Sequence, residues 1–307
     1  MRSIQYRITT WNKSFSETFI PALEVLELLQ IGGEIEPVLD FCLFVSPITL
    51  MTMISLSCAG NALAHKVVLP TSTKGAIAGF ASALAYPTAF DLGSIMPDDL
   101  HEALGHFARK NYHPIIQLTL QSGVGFDCTL SFLDKHHGIL VRNQLHALGL
   151  PSKIYEAISY MVEELTQNLL QHSRAEKGLM AMQIYPELGF MDFGFSDNGN
   201  GFLSSYKQSF RPYPEVVDDE TAMRAALDQK STKNQPTSTG FGLYTTRQML
   251  CHSLGGQFFM WSGKAYYLNN RSMEKYGTMP YSWPGSLTIL RIPTTLPEGF
   301  DVNNYVA

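Results

Sequence analysis

The sequence is poor in charge and in the signatures that usually announce a chemistry. Charged residues make up 16% of its 307 positions, 22 Lys and Arg against 27 Asp and Glu, for a net charge of −5. No strongly basic block occurs, which argues against nucleic acid as the main partner. The four cysteines, Cys42, Cys58, Cys128 and Cys251, are far apart and form no CxxC pair. That fits free thiols in a reducing compartment, so a cytoplasmic location is expected. No GxxxxGKS/T phosphate loop is present. The N-terminus has no signal-peptide layout, because Arg2 and Arg7 lead into polar residues rather than an apolar run.

Two tempting signals fail on spacing. His101-Glu102-Ala-Leu-Gly-His106 looks like a zinc-protease box, but its histidines are five apart rather than four and point to different helix faces. His136 and His137 are adjacent, so their side chains diverge, and both are expected at the surface. The run from Phe41 to Ala64 carries no charge and is long enough to span a bilayer. Pro47, Gly60, Asn61 and several hydroxyl residues favour a buried strand and helix instead, so no membrane span is expected.

What is present is a chain that is 45% hydrophobic and long enough for about two domains. Residues 1–95 alternate strand and helix: a strand over Ile4–Thr9, a helix over Ser16–Gln30, a strand over Val38–Val45, a helix from Pro47 to Ala64, a strand over Lys66–Pro70, a helix over Thr73–Ala85 and a short strand over Thr88–Leu92. The alternation implies an α/β layer. Its rhythm resembles a STAS domain, the fold of bacterial anti-anti-sigma factors, with Ser46 at the turn where some of those proteins are phosphorylated. Followed by Pro47, Ser46 reads as a helix cap. A linking helix is expected over 96–110, then a second domain over 111–307 with a strand over Pro114–Leu120 and a helix over Thr129–Leu148.

Three motifs occupy that second half. In Glu164-Leu-Thr-Gln-Asn168, the apolar positions Ile158, Met161, Val162, Leu165 and Leu169 recur at helical spacing, so Glu164 and Asn168 share a face one turn apart. Asp197-Asn-Gly199-Asn-Gly201 follows an apolar strand, and its glycines allow a tight turn and close backbone approach. Thr239-Gly240-Phe241-Gly242-Leu243 opens a helix over Tyr244–Ser253, where unpaired N–H groups suit phosphate. Strands over Gln257–Ser262 and Ser286–Ile292 close the pattern.

Together the motifs resemble the ATP-binding fold shared by DNA gyrase, histidine kinases and the mismatch-repair protein MutL, the GHKL or Bergerat family. The resemblance covers about residues 111–295. It implies a two-layer sandwich of mixed sheet and helices that binds ATP and Mg²⁺. Asn168 would hold Mg²⁺, Glu164 would be the base, and Asp197 would accept from the adenine amino group. Gly199 and Gly201 would shape the turn, and Thr239, Gly240, Phe241, Gly242 and Leu243 would cradle phosphate. Thr288 would lie near adenine, and residues 202–239 would form a lid whose Lys230 and Lys233 reach phosphates. The resemblance does not settle the reaction; the first expectation is a serine/threonine kinase of the anti-sigma type, with a STAS-type or sigma-factor-like regulator, or a second copy, as partner. An ATPase switch, a non-hydrolysing binder and a histidine kinase remain alternatives. The last is disfavoured because His101-Glu102 lacks the downstream proline of a phosphoacceptor box.

Overall fold

The computed structural model describes residues 3–7, 14–31, 34–39, 44–58, 67–70, 77–123, 125–151, 153–228, 230, 242–270 and 272–305. The architecture is mixed α/β, built on a six-stranded mixed sheet with helices.

The first part of the chain forms β1 (Ser3–Arg7), α1 (Ile20–Ile31), β2 (Glu34–Val38), α2 (Pro47–Cys58) and α3 (Ala78–Ala83). β1 and β2 pair in parallel as a separate two-stranded sheet. The sequence places the second strand too late: it is Glu34–Val38, with glutamates alternating with Ile35 and Pro37, and Phe44 to Ser46 are not strand. Residues 40–43 of the expected strand lie outside the described residues, as do 59–66 and 71–76 of the next elements. In α2 every residue from Pro47 to Leu56 is buried. Pro47 starts the helix, and Ser46, fully buried, accepts from the Ile48 N–H at 3.2 Å, as a cap should.

The main sheet contains β3 (Phe90–Asp91), β4 (Ile116–Thr119), β5 (Lys177–Tyr185), β6 (Phe190–Asp197), β7 (Gln257–Asn270) and β8 (Glu274–Pro293). Their order is β3-β4-β5-β6-β8-β7, with β3 and β4 parallel and every other pair antiparallel. α4 (Leu100–Gly105), α5 (Phe126–Ser131), α6 (His137–Ala147) and α7 (Ile154–His172) precede β5 in the chain. α5 and α6 join through a π-helical stretch, Phe132–His136. α8 (Gly201–Lys207) and α9 (Asp219–Leu227) follow β6, and α10 (Gly242–Arg247) runs on as π helix to Ser253 before β7.

The two faces of the sheet carry different layers, because side chains alternate along each strand. Met191, Phe193 and Phe195 of β6 share a core with Ile158, Met161 and Leu165 of α7 and with Leu100, Leu104 and Phe107. The opposite face, with Leu179, Ala181, Phe259, Trp261, Leu287 and Ile289, shares a core with Leu26, Ile48, Met51 and Ile54. Hydrophobic packing therefore does not divide near residue 95. The first part of the chain lies on the back of the sheet, and Phe90–Asp91 is one of its strands. Residues expected to link two domains, Leu100 and Leu104, are core. Gly194 permits the close approach: a Cβ there would lie 2.7 Å from Ile48 Cδ1.

A buried ion pair sits in the same interface. Arg291 Nε and Nη2 each donate to an Asp192 carboxylate oxygen at 2.8 Å, and the guanidinium lies 3.9 Å from the Phe190 ring centre. Asp192 is fully buried and Arg291 is 4% exposed. Bidentate geometry and a ring face offset the desolvation that such a pair costs.

Candidate functional site

α7 forms because its apolar residues fall on one stripe: Ile154, Ala157, Ile158, Met161, Val162, Leu165 and Leu169 are buried. Burying each of the larger ones stabilises the fold by about 1.5–3 kcal/mol. The stripe fixes the helix rotation and leaves Glu164 and Asn168 half-buried on a shared flank.

Each of the other two motifs meets α7. Gly242, the first residue of α10, lies against the Glu164 carboxylate so closely that a Cβ would overlap Oε2. Tyr160, one turn before Glu164, is hydrogen-bonded to Thr245 of α10, and burial raises its pKa. At the far end of α7, the Ser173 carbonyl accepts from the Asn200 N–H at 2.8 Å, and a Cβ on Gly199 would overlap that carbonyl. Leu243 is 9% exposed, so its side chain belongs to the core while its backbone stays in the first turn of α10. Thr239, Gly240, Phe241 and Lys233 lie outside the described residues.

Asp197 ends β6 and is 3% exposed. Its Oδ1 accepts from the Gly199 N–H at 2.8 Å, and its Oδ2 accepts from the Ser286 hydroxyl. Burial raises its pKa above the usual carboxylate value, opposed by the Ser286 hydroxyl and by the Gly199 and Ser286 backbone groups. Gly201 at φ +68° and Gly285 at φ +82° take the left-handed conformations that let two backbone segments close around this carboxylate. Ser286, directly opposite Asp197 on β8, was not singled out from sequence. Thr288, which was, stands two positions further along, opposite Phe195. A lone serine in a strand carries no signal until the register is known.

The region expected to be a lid begins as ordered structure. α8, not anticipated, packs with α9 through Tyr206, Val216, Ala222 and Ala225. α9 starts at a capping box between Asp218 and Thr221. Lys230 Nζ is 2.7 Å from Glu215 at the surface rather than free for phosphate. His137, expected at the surface, is 5% exposed beside His113 and Phe193, because residue 137 falls on the inner face of the helix that residue 136 leaves.

Comparisons with protein-family models, curated proteins and solved structures find no match. The site therefore stands on its own chemistry. Asn168 Nδ2 is buried and has no hydrogen-bond partner. A buried, unpaired amide costs about 1–3 kcal/mol, and the amide can be turned to present Oδ1 instead. A hard oxygen ligand of this kind suits Mg²⁺, which takes oxygen donors and keeps several waters. That arrangement needs no cluster of protein carboxylates. Among the described residues, no group of three His, Cys, Asp or Glu side chains is placed to hold a metal. Among the described residues, too, no helix is long and apolar enough to cross a membrane.

Proposed function

We propose that this chain is a Mg²⁺-dependent ATP-binding regulatory protein of the Bergerat type, and that it acts as a serine/threonine protein kinase of the partner-switching kind. The observation that carries the reading is that α7, which bears the first motif, is met by the other two. Glu164 meets Gly242, and Ser173 meets Gly199 and Asn200. Asp197 is an acceptor-only group when ionised, which suits the adenine amino group and rejects the guanine carbonyl. Asn168 would hold Mg²⁺, which when bound would supply charge neutralisation at the phosphates. The N–H groups at the start of α10 face the phosphates. Glu164 takes the proton of the attacking serine hydroxyl or water as the new P–O bond forms and ADP leaves. Cys58, Cys128 and Cys251 are free, in keeping with a reducing, cytoplasmic setting. The partner is a STAS-type or sigma-factor-like regulator, or a second copy of the chain.

The shared core behind the sheet favours a second reading. The first ninety or so residues pack against the sheet through Ile48, Met51 and Ile54 and do not stand apart as a phosphate-accepting domain. In this reading the protein is an ATPase whose lid closure controls dimerisation or partner binding.

Incubation with γ-labelled ATP and Mg²⁺, with Glu164→Ala as control, separates the two. Acid-stable label on the protein or on a partner supports the kinase, and free phosphate alone supports the ATPase. If the protein binds no adenine nucleotide by calorimetry, both readings fall.

A further inference from the structure

The back layer touches the Asp197 loop directly. Along β6, Asp197 points to the α7 face, so Ser196 points to the back of the sheet, where α2 crosses it. Ser55, near the end of α2 and 2% exposed, has its hydroxyl 2.7 Å from the Ser196 hydroxyl and 3.1 Å from Asn198 Oδ1. Asn198 Nδ2 donates back to the Ser55 carbonyl at 3.4 Å. Ser196 Oγ is also 3.3 Å from the carbonyl of Ser286, whose own hydroxyl donates to Asp197 on the other face. A continuous chain of polar groups thus runs from α2, through the sheet, to the buried carboxylate.

From this we infer that Ser55 is a positioning residue for adenine-nucleotide binding, acting through Asn198 and Ser196 on the Asp197 loop. The inference rests on the ATP reading above. Two hydroxyl protons serve three contacts. Either Ser55 donates to Asn198 while Ser196 donates to Ser55, or Ser55 donates to Ser196, which donates to the Ser286 carbonyl. Both arrangements use the Ser55 oxygen, so removing it breaks the chain whichever holds. Asn198 and Asn200 are exposed, so the loop is held by hydrogen bonds rather than by apolar burial of their side chains. Besides Asn198 on Ser55, its anchors are the Gly199 N–H on Asp197, the Asn200 N–H on the Ser173 carbonyl and the Asn200 amide, which donates to Gln208 Oε1 at 3.4 Å. A nucleotide that orders the loop is in turn sensed by α2, because coupling between two sites is reciprocal.

The test measures ADP–Mg²⁺ and GDP–Mg²⁺ affinity by calorimetry, and amide hydrogen exchange over residues 198–201, in the full chain and in Ser55→Ala. One lost hydrogen bond in the chain corresponds to a roughly two- to tenfold weaker affinity for ADP. GDP binding should not change, so the adenine preference narrows, an outcome that general destabilisation does not produce. Loop amides should exchange faster. Asn198→Ala, on the exposed loop and unable to disturb the core, should reproduce the loss, and the double variant should lose no more than either single one. Wild-type ADP affinity and unchanged exchange in both variants overturn the role of Ser55 and leave the ATP reading standing. Absence of ADP binding to the unaltered protein refutes the ATP reading and the role of Ser55 in it.

Discussion

Gly242 and Glu164 are in contact across two helices, with no room for a side chain between them. The third motif needs a glycine here for proximity, since the carboxylate occupies the space a methyl would fill. Gly242→Ala should therefore push Glu164 aside, and because the far end of a glutamate side chain can move, the protein should still fold. The expected result is a fall in ATP turnover of at least about tenfold with a small change in thermal midpoint. Gly199→Ala should behave oppositely. Its methyl meets the Ser173 backbone carbonyl, which cannot swing away, so stability should drop by about 1–3 kcal/mol in urea unfolding. Equal effects of the two substitutions on stability would contradict this distinction.

Glu164→Ala should abolish phosphoryl chemistry and spare binding. Loss of a general base lowers rates by about 10²–10⁴-fold. Calorimetric ATP affinity should stay within about threefold of the unaltered protein. A variant that turns ATP over at the original rate would remove Glu164 from the chemistry.

Asp197→Asn should separate stability from recognition. Burial raises the folded pKa of Asp197 above its unfolded value, so its ionisation disfavours the folded state as pH rises through that range. Asparagine is neutral, its amide oxygen can still accept from Gly199, and its NH₂ can donate to the Ser286 hydroxyl. The thermal midpoint near neutral pH should hold or rise. Adenine-nucleotide affinity should fall more than about tenfold, because an NH₂ would face the adenine amino group. Unchanged adenine binding would argue against Asp197 as the selecting residue.

Acid should unfold the protein through two histidines. His113 is fully buried, with Nε2 at 2.9 Å from Gln144 Oε1. The Gln144 amide donates to the carbonyls of Phe107 and Tyr112, so its oxygen must accept and His113 carries its proton on Nε2. Burial depresses the pKa of His113 and lowers that of His137 to about 4. The unfolded chain binds protons near pH 6.5 while the folded protein does not, so stability is full above that pH and falls as pH drops toward 4. The slope approaches about 1.4 kcal/mol per pH unit for each histidine. Urea midpoints across this window should show it, and His137→Phe, which keeps a ring among Phe132 and Phe193, should flatten it.

What sequence reading recovered tracks where periodicity exists. α7 is legible because one flank is wet and the other dry, and the Asp197 turn is legible from its glycines. β5 was missed because residues 178–185 are buried on both faces, so the run shows no alternation. α2 is buried all round as well, and was recovered from its start signal, Ser46-Pro47, rather than from a helical period. The hairpin formed by the outer parts of β7 and β8 was missed because Gly263, Pro280 and Gly285 punctuate it, and its register shifts at Gly263. Ser286 and Ser55 were invisible for a different reason. Each acquires meaning through a partner on another element, which no local pattern carries.

The layer behind the sheet also sets an order of events at the ribosome. α1 and α2 precede in the chain every strand of the main sheet that covers them: Leu179 and Ala181 lie on β5, and Phe259, Trp261, Leu287 and Ile289 lie on β7 and β8. α2 itself packs on β5 and β6, through Leu179, Ala181 and Gly194, strands that come far later in the chain than the helix. Non-local contacts of this kind slow folding and expose sticky surface. α2 therefore stays uncovered until β5 and β6 emerge, a long interval for a helix with no polar face.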